Sequence, residues 1–136
     1  MTKAFLDANI LVYYLTQNHE EYSRRSTTLM DALGNCRTTA VCASTAILEA
    51  IYGLDKAFQV PKAVTHRAMK AIVQTPAISF DHREALVEAL DYWHGQGPLS
   101  ITDCYHLALA KSLGLDAIYS FDRKMGRYPG VERLEP

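Results

Sequence analysis

The stretch Lys3-Ala4-Phe5-Leu6-Asp7-Ala8-Asn9-Ile10-Leu11 decides how the chain is read. Lys3 to Leu6 is a short apolar run and reads as a buried strand. Asp7 stands where that strand ends, before a helix from about Ala8 to Leu15 that places Leu11, Tyr14 and Leu15 on one face. A strand passing into a helix through a single acidic residue begins an α/β unit. It leaves a carboxylate at the carboxyl edge of the strand, where open α/β sheets bind ligands.

The same alternation continues outward. A helix is expected over Glu20–Leu33, ended by Gly34-Asn35, with Tyr22, Leu29 and Leu33 turned inward. The β-branched stretch Thr38 to Cys42 reads as a strand, and Ser44-Thr45 opens a helix that carries Glu49 to about Ala57. Pro61 suits the first position of a helix over Lys62–Val73, and Pro76 breaks the pattern before a strand over Ala77–Phe80. Asp81-His82-Arg83-Glu84 has the spacing of a capping box for a helix with Leu86, Val87, Leu90 and Trp93 inward, ended by Gly95-Gln96-Gly97-Pro98. Ser100 opens a helix through Leu113, stopped by Gly114; Ala117–Tyr119 and Val131–Leu134 read as the last strands. Short strands between helices predict a single α/β domain over residues 1–136. The expected form is a three-layer α/β/α sandwich with a central, mostly parallel sheet of four to five strands.

Composition narrows the function. The chain has 136 residues, 49% hydrophobic and 21% charged, as in an ordinary globular protein. Its longest apolar run, Ile10 to Leu15, is too short to span a membrane, and Asp7 interrupts any signal-peptide layout, so a cytoplasmic protein is expected. The three cysteines, Cys36, Cys42 and Cys104, contain no C-x-x-C pair, and the five histidines show no zinc spacing. A formal net charge of −1 excludes nucleic-acid binding by bulk attraction alone, so a polyanionic ligand requires local basic residues or a bound cation.

Four acidic residues sit in apolar sequence context: Leu6-Asp7, Leu48-Glu49-Ala50, Thr102-Asp103-Cys104 and Phe121-Asp122. Asp7 and Asp122 each suit a helix or turn cap equally well, and Ser100-Ile101-Thr102-Asp103 has capping-box spacing. Glu49 lies mid-helix, where no cap is needed. With Thr45 and Gly53 one turn to either side it has no helical ion-pair partner. Buried carboxylates brought together require neutralisation, and hard oxygen donors select Mg²⁺ or Mn²⁺, which points to phosphate chemistry.

These residues fall in ordered motifs. Phe5-Leu6-Asp7-Ala8-Asn9-Ile10-Leu11 resembles the opening motif of PIN-domain nucleases, and Ser44-Thr45-Ala46-Ile47-Leu48-Glu49 resembles their helix-borne glutamate. Thr102-Asp103-Cys104-Tyr105-His106-Leu107-Ala108-Leu109-Ala110 is similar to the family's Asp-bearing, alanine-rich helix, and Tyr119-Ser120-Phe121-Asp122 to its final hydroxyl-x-Asp element. At this length the chain looks most like the VapC-type toxins of toxin–antitoxin pairs.

The resemblance implies a Mg²⁺- or Mn²⁺-dependent endoribonuclease. Asp7, Glu49, Asp103 and Asp122 would be its catalytic, metal-holding carboxylates, and Asn9 and Ser120 would orient them. It also implies an RNA substrate, a small antitoxin partner and a homodimer. Arg123, Lys124 and Arg127, just after Asp122, are candidates to guide RNA phosphates, with an ordinary solvated surface as the alternative. Trp93 aligns with Leu86 and Leu90 and reads as core, and His106 reads as a partly exposed helix histidine. Two other functions compete: an RNA-processing PIN nuclease outside any toxin pair, and an inactive PIN-like binding module. A haloacid-dehalogenase-type phosphatase is disfavoured, because Asn9 stands where that chemistry wants a second Asp.

Overall fold

The computed structural model describes residues 3–95 and 97–136, so Gln96, inside the expected Gly95–Pro98 break, lies outside the described residues. The chain divides into two compact units, Met1–Arg83 and Glu84–Pro136.

The first unit opens with an extended segment and helix α1 (Ala8–Thr16), followed by α2 (Glu20–Gly34), β1 (Ala40–Cys42), α3 (Ser44–Lys56), α4 (Lys62–Val73) and β2 (Ile78–Phe80). β1 and β2 pair in parallel, with Ala40 opposite Ile78 and Cys42 opposite Phe80. The segment expected as a strand over Lys3–Leu6 forms a single parallel bridge, Phe5 to Val41. The Leu6 N–H donates to the Val41 carbonyl at 2.7 Å, and the Val41 N–H to the Ala4 carbonyl at 2.9 Å. Leu11, Leu33, Ile47, Ile51, Leu54, Met69, Val73 and Ile78 are fully buried, as apolar residues at helical and strand periodicity should be.

The inward face of α2 differs from the expected one. Leu33 is buried, but Tyr22 is 46% exposed, and Ser23, Ser26 and Met30 are the buried residues beside Leu33. The reason is packing against α1: the Ser23 hydroxyl donates to the Tyr13 carbonyl at 2.8 Å, so a small residue is needed where the two helices meet. Pro61 is the residue before α4 rather than its first residue. At the far end of α4, Arg83 donates to the carbonyls of Val73 (2.5 Å), Thr75 (3.1 Å) and Ile78. One guanidinium thereby satisfies the acceptors left over at the turn into β2.

The second unit, which begins at the second residue of α5 (Arg83–Gly95), also holds α6 (Ile101–Ser112), β3 (Ala117–Tyr119), a 3-10 helix (Arg123–Arg127) and β4 (Glu132–Leu134). β3 and β4 pair in parallel, Ala117 opposite Glu132 and Tyr119 opposite Leu134. Helix α6 stops at Gly114, whose φ of +75° is open to glycine. The Leu115 N–H reaches the Ala110 carbonyl at 2.9 Å and the Gly114 N–H reaches that of Lys111 at 3.0 Å, which closes the helix end. Trp93 is buried, as its spacing with Leu86 and Leu90 predicts.

The architecture is α/β with parallel pairing, as expected. In place of one sheet of four to five strands, the described residues form two two-stranded pairs. Each strand is three residues long, because it runs almost at once into helix or turn: Ala43 already precedes α3, and Asp81 ends β2. Among the described residues no helix is long and apolar enough to cross a membrane.

Candidate active site

In the first unit Asp7 occupies the N-cap position of α1 with extended backbone, yet its side chain makes no capping bond. The helix start is held by the backbone instead, the Ile10 N–H donating to the Asp7 carbonyl at 3.2 Å. The Asp7 carboxylate is therefore exposed and not engaged in capping. Asn9, two residues on, is exposed and lines a groove shared by α1 and α2. At the end of β1, the Cys42 thiol is pushed up to about 11, by burial first and then by the charges of Asp81 and Asp7. Both carboxylates thus act on the same strand end.

Asp81 carries a role that its own sequence neighbourhood hides. Instead of capping α5, its carboxylate accepts from the Ser44 backbone N–H at 3.0 Å, from the Ser44 hydroxyl, and from the His82 N–H at 3.1 Å. Burial alone would raise this carboxyl, but the Ser44 hydrogen bonds and the His82 charge outweigh burial and hold it below the ordinary carboxylate value. Asp81 is thereby the cap of α3, the helix that carries Glu49. The one signal in the sequence was its place directly after a strand, as for Asp7 and Asp122. Glu49 itself is exposed, because α3 turns Ile47, Ala50, Ile51 and Leu54 inward.

In the second unit Asp103 lies in the first turn of α6, half-buried, with its backbone N–H donating to Ser100 Oγ at 3.1 Å. Ser100 caps the helix, so the Asp103 carboxylate is not the cap. Asp122 does act as a cap: its Oδ1 accepts from the Lys124 N–H at 3.0 Å at the start of the 3-10 helix. Its Oδ2 lies 3.9 Å from Lys124 Nζ, while Ser120 Oγ accepts from the Asp122 N–H at 3.0 Å. Ser120, Asp122 and Lys124 are thus one local turn. Arg123, Lys124 and Arg127 are all exposed on the short helix. That helix is tied down from α5 by Tyr92, whose hydroxyl donates to the Arg127 carbonyl at 3.3 Å, and by Tyr128, whose hydroxyl donates to Glu88. Burial and then the Glu88 bond push the Tyr128 hydroxyl well above its ordinary value. His106 is exposed, as expected.

Apolar sequence context suggests burial of the four acids, and the structure corrects this. Asp7 and Glu49 are exposed, and Asp103 and Asp122 half-buried. The apolar neighbours Leu6, Ala50 and Cys104 are buried while Asp7, Glu49 and Asp103 turn outward, whereas Phe121 beside Asp122 is itself exposed. Nor do three or more His, Cys, Asp or Glu side chains group closely enough to hold a metal ion among the described residues. The donor chemistry nevertheless suits a hard cation, since all four groups are carboxylates with no thiolate or imidazole among them.

The sequence model of the PIN domain matches residues 4–131. The chain belongs to the PIN domain family. No curated protein matches it. PIN domains are generally nucleases, and the matched residues run through both compact units and include Asp7, Glu49, Asp103 and Asp122.

Proposed function

We propose that this PIN-domain chain is a metal-dependent endoribonuclease and the toxin of a toxin–antitoxin pair, working as one domain. The observation that carries this reading is the family match over residues 4–131, within which an acid stands at each position of the four-carboxylate resemblance. Asp7, Glu49 and Asp103 would form the main shell for Mg²⁺ or Mn²⁺, and Asp122 would complete it. Such a cation, when bound, lowers the pKa of water and offsets charge on the leaving oxygen. With the family come the expectations of a single central parallel sheet and of products bearing a 5′-phosphate and a 3′-hydroxyl.

The chain's own residues supply the rest. Asp7 keeps its carboxylate out of helix capping, which leaves both oxygens available as ligands. Asp81 anchors the start of α3 and so sets the direction of the helix bearing Glu49. Ser120 holds the Asp122 backbone, and Asn9, exposed two residues after Asp7, would orient Asp7 or a water. Arg123, Lys124 and Arg127 present exposed charge for RNA phosphates. In the cytoplasm, as a homodimer, the toxin would be silenced by a small antitoxin inserting an Arg or Lys among the carboxylates.

The test is RNA cleavage by purified, metal-stripped protein with and without added Mg²⁺ or Mn²⁺. Cleavage that requires the cation and stops in EDTA is the expected result. Full activity in EDTA, or none with either metal, overturns the proposal.

A further inference from the structure

Where α1 meets α2, an open groove of about 450 Å³ begins at Asn9, two residues after Asp7. Small-molecule pockets run from about 300 Å³ upward, so the groove admits one nucleotide. Its lining combines Ile10, Leu29 and the rings of Tyr13 and Tyr22 with the polar Asn9, Arg25 and Ser26.

Three features of the groove point to a ligand. Tyr22 is 46% exposed yet fixed: His19 stacks on it at 4.0 Å and 14°, Tyr13 meets it at 5.4 Å and 67°, and His19 Nδ1 is held by the Tyr22 N–H at 3.0 Å. An aromatic platform ordered in advance costs a ligand little entropy. Ser26, only 3% exposed, places a polar side chain in the groove wall. The neighbouring Ser23, equally buried, spends its hydroxyl on the Tyr13 carbonyl. Arg25 faces Glu21 at 3.7 Å, with both side chains more than half exposed, a pairing that leaves the guanidinium open to exchange.

We propose that this groove holds one unpaired base of an RNA strand. The base lies against the tyrosine platform with its polar edge toward Asn9 and Ser26, and an adjoining phosphate rests on Arg25. The proposal rests on the ribonuclease reading above and adds a substrate subsite to it. A partner helix is the weaker occupant, because it would press apolar anchors onto the Ser26 hydroxyl and the Arg25 charge.

The experiment is equilibrium binding of a short single-stranded RNA in EDTA, where cleavage does not interfere. The readouts are anisotropy and the quenching of a 2-aminopurine placed in the strand. Tyr22→Leu should weaken binding about 5- to 150-fold, the range for one lost base stack, and abolish the quenching. Arg25→Gln, at an exposed site, keeps the fold and should weaken binding while reducing its salt dependence. Unchanged affinity and quenching in both folded variants overturns the groove, even if the parent cleaves RNA and the nuclease reading stands. Weakened variants of a parent that binds but never cleaves uphold the groove and overturn the nuclease. A parent that binds no RNA overturns both. Variants that keep RNA affinity but lose a protein partner assign the groove to that partner and overturn the proposal.

Discussion

Replacing Asp81 by alanine removes three hydrogen bonds at once, from the Ser44 N–H, the Ser44 hydroxyl and the His82 N–H. Two of these are the start of α3, where loss of a cap costs about 0.5–2 kcal/mol. Bonds to an ionised acceptor are worth about 1.5–3 kcal/mol when desolvated, but Asp81 lies at an exposed rim where water replaces part of that. The expected destabilisation of Asp81→Ala is about 1.5–2.5 kcal/mol, or a fall in Tm of roughly 5–10 °C for a chain of this size. The sign with pH follows from the carboxyl being held below its ordinary value in the folded state. Its contribution is present above about pH 4 and is lost as pH falls through the depressed folded value, so parent and variant converge in acid. The assay is urea unfolding of the parent, Asp81→Ala, Ser44→Ala and the double variant at pH 7 and at stepped acid pH. The cycle should show a coupling of at least about 0.5 kcal/mol at pH 7. Equal stability at pH 7, additive single changes, or a gap that persists in acid would refute the capping role.

Arg83→Met should cost about 2–3 kcal/mol in the same assay, because three carbonyls lose a charged donor. At pH 8 a thiol reagent should modify exposed Cys36 quickly and spare Cys42 until unfolding, since Cys42 is buried and its thiol is raised to about 11; rapid labelling of Cys42 in folded protein contradicts this. Glu49→Gln, at an exposed site, should leave stability within about 0.5 kcal/mol while abolishing cleavage, and retained cleavage would remove Glu49 from the proposed metal shell. Replacing Arg123, Lys124 and Arg127 together by alanine should raise KM for RNA and flatten its salt dependence with little change in kcat; an unmoved KM returns them to ordinary surface.

Helix and strand positions were in part legible from local pattern. Lys62–Val73 and Ala117–Tyr119 form over the expected residues, and the buried Trp93 follows from its spacing with Leu86 and Leu90. Capping by Ser100 and the stop at Gly114 were equally local, since a side chain or a left-handed glycine meets the backbone a few residues away. Family membership was legible too, because it rests on the order of motifs along the chain, and the match over residues 4–131 bears it out.

Exposure was not legible in the same way. Glu49 has apolar residues on both sides, but helical geometry sends its neighbours to the core and Glu49 itself outward. Tyr22 looked like core, yet the closeness of α1 gives that place to Ser23 and Ser26 and leaves Tyr22 on the rim of the groove. The tie between Asp81 and Ser44 joins positions 37 residues apart. No periodicity or short motif records which amide a strand-end carboxylate will meet. That is decided when β2 settles beside β1 and brings Asp81 to the start of α3.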